Sequence, residues 1–147
     1  MSSFAGPALA LVVAAGLSRL WLRRKRARRI EQAQDLARDL LPEIRAVMVS
    51  CDPAGPSGGT PIQGGRFALV RQRIPRTLPK ESLFAVETFY QCVDAYARAS
   101  NETTAAFAAE SVLSLGDRIR AKDRRDRCLK DVYYTGEAAL ERLQEIH

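Results

Sequence analysis

The chain has 147 residues, 46% of them hydrophobic, which suits one domain with a modest core and excludes wholesale disorder. Its formal charge of +6 is concentrated: with Arg19, Arg23, Arg24, Lys25, Arg26, Arg28 and Arg29 set apart from the 23 basic residues, 16 remain against 17 acidic ones. The body is therefore not basic, and a nucleic-acid binder that carries its charge on a folded face is not expected.

Residues 4–22, FAGPALALVVAAGLSRLWL, are interrupted only by Ser18 and Arg19. At ~1.5 Å per residue the run reaches roughly 28 Å, close to the ~30 Å hydrocarbon core of a bilayer. Residues 9–17 are apolar on every side, without the polar stripe of a helix lying in the interface. Arg19 can snorkel to the headgroups, Trp21 is the aromatic expected at that depth, and Pro7 falls in the first turn, where its missing N–H costs little. The run thus predicts a transmembrane helix, with residues 1–22 as the anchor. The uncharged MSSF before it and the dense cluster after it place the N-terminus outside and the C-terminal body in the cytoplasm. A secretory signal would put its charges first, and a mitochondrial presequence would be amphipathic and richer in Ser. A short buried globular helix is the remaining rival.

The basic cluster has two readings. Arg19, Trp21, Arg23, Arg24, Lys25, Arg26, Arg28 and Arg29 are either contacts to anionic lipid headgroups, at ~1 kcal/mol per cation near a negative surface, or simply the determinant of topology. Beyond them, Ile30, Ala33, Ala37, Leu40, Ile44, Val47 and Cys51 recur at 3 and 4, with Leu36, Leu41 and Met48 beside them. Residues 23–51 therefore read as a basic juxtamembrane segment and a stalk helix with one sticky side, kinked at Pro42. That side serves either self-association as a coiled coil through Ile30, Ala33, Ala37, Leu40, Ile44 and Val47, or packing on the chain's own later helices.

CDPAGPSGGTPIQGG, residues 51–65, holds three Pro and five Gly and reads as a loop, with 52–78 as a linker. No Gly-Lys-Ser or Gly-Lys-Thr follows, so it is not a phosphate loop. Residues 66–74 are open between strand and helix. From Pro79 the pattern is helical: Leu83, Val86, Tyr90, Val93 and Ala97 with Phe89 and Tyr96, then SNET at 100–103 as the cap of a next helix and a tight hairpin. Ala108, Val112, Leu115 and Ile119, widened by Phe107, are the inner stripe expected of that second helix. A last helix carries Leu129, Val132 or Tyr133, Gly136, Leu140, Leu143 and Ile146, with Gly116 and Gly136 as candidate breaks. Seven cations in 118–130 are interleaved with Asp117, Asp123, Asp126 and Asp131. Pairs such as Asp123 with Arg127, Asp126 with Lys130 and Arg127 with Asp131 make a solvated face; a docking site for an acidic partner or lipid is the alternative.

The catalytic inventory is thin. The one histidine is His147, at the terminus, and Cys51, Cys92 and Cys128 form no CxxC pair. Cys51, beside the loop, is the thiol to test for reactivity. Glu137, Glu141 and Glu145 form an acidic row, but no Glu-x-x-His partner exists to complete a carboxylate metal site. No catalytic residue, cofactor or metal is assigned.

The expectation is an all-α chain: a single transmembrane helix continuing into a stalk, then a three-helix cytoplasmic domain over 79–147. Its role is that of a non-catalytic, membrane-tethered interaction or scaffold module, or an accessory subunit of a membrane complex. Its partners are the bilayer, anionic headgroups, and a protein partner or second copy. Richness in Ala and Arg associates it with a GC-rich bacterial genome and hence a bacterial inner membrane. A small membrane-anchored enzyme with a Cys or carboxylate site is the alternative.

Overall fold

The computed structural model describes residues 5–55, 58–59, 77–108 and 114–146, with the helical backbone alone for 5–17. Residues 66–74 and Val112 lie outside the described residues. The described residues form three helices and no strand: α1 (Ala5–Cys51), α2 (Lys80–Ala108) and α3 (Leu115–Gln144).

α1 is one helix of 47 residues, about 70 Å long at 1.5 Å per residue. It passes through Pro42 without ending. Pro42 and Arg38, whose carbonyl loses its helical partner, both lie on the exposed face, so water satisfies the freed group and the core face keeps its phase.

Among the described side chains of α1, the packed ones lie in its second half. Ala33, Ala37, Leu40, Ile44, Val47 and Cys51 are buried, and from Ala37 on they share one core with Val86, Phe89, Tyr90, Val93 and Tyr96 of α2 and Val132, Ala139 and Leu143 of α3. Each large side chain removed from water here contributes about 1.5–3 kcal/mol. The seam is therefore occupied within the chain; of the proposed self-association set, Ile30 alone is exposed. A coiled coil between chains through Ala33, Ala37, Leu40, Ile44 and Val47 would have to displace α2 and α3.

Polar contacts fix the helix directions. The Tyr90 hydroxyl donates to Glu43 Oε1 at 2.8 Å and the Tyr96 hydroxyl to the Cys51 carbonyl at 3.1 Å, so α2 runs parallel to α1. Ser82 Oγ donates to the Arg142 carbonyl, Thr103 Oγ1 to the Ala121 carbonyl, and Gln34 Nε2 to the Ile146 carbonyl, so α3 is antiparallel to both. Parallel neighbours need a long connection, which residues 52–79 supply. Its described start is a run of turns: the Gly55 amide donates to the Asp52 carbonyl at 2.9 Å, and the Ala54 amide to Asp52 Oδ1 at 2.9 Å. Gly59, at φ +80°, is buried with room for a Cβ only 3.0 Å from the Tyr96 oxygen. Its left-handed backbone and close approach both require glycine.

Several expectations need correction. The third wall of the core is the end of α1, because the described residues of 79–147 form two long helices and not three. SNET is interior to α2: the Thr103 and Thr104 hydroxyls donate back to Ala99 and Ser100 carbonyls at 2.8 and 3.0 Å, so these side chains bond within the helix and do not cap a new one. The cap of α3 is Ser114, whose Oγ accepts from the Asp117 amide and donates to its carboxylate at 2.6 Å. Of the stripe expected at 108–119, the described members face water: Ala108 is exposed, as are Leu115 at 65% and Ile119 at 50%. Neither glycine is a break: Gly116 lies in the first turn of α3, and Gly136 is buried where α3 meets Met48. Along 117–127 the described ion pairs are Arg120 with Asp117, Arg124 with Glu102 across to α2, and Arg125 with Asp126; Arg127 donates to the Asp123 carbonyl, not its carboxylate.

Candidate functional site

Residues 18–32 of α1 are exposed on every side. They project below the bundle, whose burial begins at Ala33. No Gly or Pro lies between Arg23 and Leu41, so the projection is a rigid continuation of a core helix. An isolated helix of this length is marginal in water. This one is held in register by the packed half.

The projection is banded across its axis. Leu20, Trp21 and Leu22, 55%, 60% and 49% exposed, are consecutive residues and so point in three directions about 100° apart. Arg23, Arg24, Lys25, Arg26, Arg28 and Arg29 follow, with Arg19 one turn earlier, and all are exposed. At 3.6 residues per turn the widest arc among the seven cations that carries no charge is about 100°. The ammonium of Lys25 sits 4.8 Å from the Trp21 ring centroid, a cation–π contact joining the apolar ring to the basic one. The structure thus brings Arg19, Trp21, Arg23, Arg24, Lys25, Arg26, Arg28 and Arg29 together as a collar around one helix. It separates them from the seam that follows.

Among the described residues, no helix is long and apolar enough to cross a membrane. The side chains of residues 1–17, most of the run that predicts the anchor, lie outside the described residues.

Sequence reasoning missed two features. The first is the charge at the end of the bundle nearest the collar. There, among the described residues, the exposed acids Glu31, Asp35, Asp39, Glu81, Glu141 and Glu145 outnumber the exposed cations Arg38, Lys80 and Arg142; Arg38 pairs with Asp35 at 3.5 Å and Arg142 with Glu145 at 3.0 Å. These acids come from three helices, so only the fold assembles them. The second is a groove of about 550 Å³ between α2 and α3, flanked by Phe84 and Tyr134. Both rings are exposed, and both stand beside the buried stripes and not in them.

Cys51 is not a poised nucleophile. It is fully buried, and burial pushes its thiol from 9.0 up to about 11, which withholds the thiolate that chemistry requires. Cys92 and Cys128 are half-buried free thiols. Glu137, Glu141 and Glu145 are exposed, and among the described residues no group of three or more His, Cys, Asp or Glu is placed to hold a metal ion. Compared with family models, with curated proteins and with solved structures, the chain matches none.

Proposed function

We propose that the chain is a membrane-tethered, non-catalytic interaction module: residues 4–22 cross the bilayer, the collar lies at the cytoplasmic headgroups, and the helical bundle stands in the cytoplasm. One observation carries this. On a projecting helix the apolar ring at 20–22 and the basic ring at 23–29 succeed each other along the axis. A helix that lies in an interface is striped lengthwise, with one apolar face; a helix that passes through an interface changes character across it. The uncharged MSSF and the cationic far flank favour the orientation with the bundle inside.

Carbonate extraction of the full-length protein from membranes tests the anchor, with protease access in sealed vesicles of known orientation testing the topology. Retention in the carbonate pellet, with the bundle protected in cytoplasm-inside vesicles, supports the proposal. Release into the supernatant sinks the anchor, and cleavage in those vesicles reverses the orientation.

A further inference from the structure

We infer that the basic collar is a binding site for anionic phospholipid headgroups. This rests on the membrane-tethered reading and goes beyond a role in setting topology.

The collar's dimensions carry the inference. Residues 23–29 occupy about 10 Å of helix axis, comparable to the headgroup layer, which is roughly 5–8 Å deep on each side of the hydrocarbon core. Cations point to all sides of the helix over that length. A flat partner would engage one face only, whereas a layer of phosphates surrounds the helix and engages them all. Arginine guanidinium groups, five of the six cations here, match phosphate oxygens with paired donors.

The charge beyond the collar sets its limit. Glu31 comes two residues after Arg29, followed by Asp35 and Asp39 on the same helix and Glu81, Glu141 and Glu145 on its neighbours. A nucleic-acid rod lying along the collar would run on into these carboxylates. A headgroup layer ends before them, and their repulsion from the anionic surface holds the bundle off the membrane while the collar stays within it.

Trp21 is the one tryptophan of the chain and stacks against a collar cation, so it reports on the lipids next to the collar. Full-length protein is reconstituted into vesicles of phosphatidylcholine and phosphatidylglycerol, with brominated acyl chains on one lipid or the other at equal mole fraction. Enrichment of the anionic lipid beside Trp21 of about fivefold is expected from a single well-placed cation contact. That enrichment should fall at high salt and vanish when Arg19, Arg23, Arg24, Lys25, Arg26, Arg28 and Arg29 are all changed to Gln. Changing the six arginines of the collar to Lys keeps most of it. Equal quenching by both lipids in the unaltered protein overturns the headgroup site while leaving the anchor standing. Absence of quenching by either lipid removes the anchor and the site together; retardation of duplex DNA or RNA by the unaltered protein, and not by the Gln variant, would then assign the collar to nucleic acid.

Discussion

Cys51 shows how far a residue's meaning depends on neighbours that its local sequence does not reveal. It ends α1 beside a glycine-rich loop, yet Tyr96 bonds its carbonyl and the core closes over its sulfur. The unfolded thiol ionises near 9.0 and the folded one near 11, so between those values the unfolded state binds fewer protons. The Cys51 contribution is fully present below about pH 9 and is lost as pH rises across the window, about 3 kcal/mol in all. Burial and the Glu43 hydrogen bond also push Tyr90 upward from 10.0, which adds to the loss from about pH 10 and continues it at still higher pH. Urea unfolding at a series of alkaline pH values should show a shallower decline for Cys51→Ala than for the unaltered chain, and equal slopes would remove Cys51 from the account. Gly136 is a second residue read from contact alone: a Cβ there would stand 2.5 Å from Met48 Sδ. Gly136→Leu should cost about 1–3 kcal/mol by overpacking. Met48→Ala should restore part of that loss in a double-mutant cycle; strict additivity would mean that the two helices do not meet there.

At the level of elements, the periodic stripes in 33–51, 83–97 and 132–146 were legible because each of these stretches is buried on one side only. Legibility stops where α1 stops. Tyr96 is level with Cys51, so beyond it α2 and α3 continue as a pair, touching through the small and polar residues Ala99, Thr103 and Ala106. No large apolar stripe marks such a contact, and the apolar residues present mislead: Leu115 and Ile119 face water, and Phe107, half exposed, meets α3 through the Arg118 guanidinium, 5.9 Å from its ring. The cap followed the same logic: Ser100 and Asn101 resemble a helix start, but Ser114 with Asp117 three residues on is the one whose side chain is used. Ser114→Ala should therefore cost about 1 kcal/mol, roughly 4 °C in Tm for a domain of this size. Ser100→Ala and Asn101→Ala should each stay within about 0.5 kcal/mol. Thermal melts of the three variants check this, and the opposite ranking would restore a helix boundary at 100.

For the whole molecule, one helix serves two environments, and the division falls between Gln32, exposed, and Ala33, buried. The collar was legible in the sequence because charge density needs no fold to be seen, while the acidic end of the bundle depends on three helices meeting. The division makes the two halves separable. A chain beginning at Ile30 keeps every described buried residue of the core, so its Tm should match that of the bundle in the full chain within a few degrees, while the proposed membrane association should be lost. Leu40→Asp in the full-length protein is the converse test. Leu40 is fully buried in the middle of the core, and an unpaired carboxylate there costs more than about 4 kcal/mol, enough to unfold a marginally stable domain. The proposed anchor would depend on none of the core packing that this substitution destroys. The variant should lose its thermal transition and become protease-sensitive, yet remain in the carbonate pellet. If unfolding the bundle releases the protein, the folded surface and not the first half of α1 holds it to the membrane.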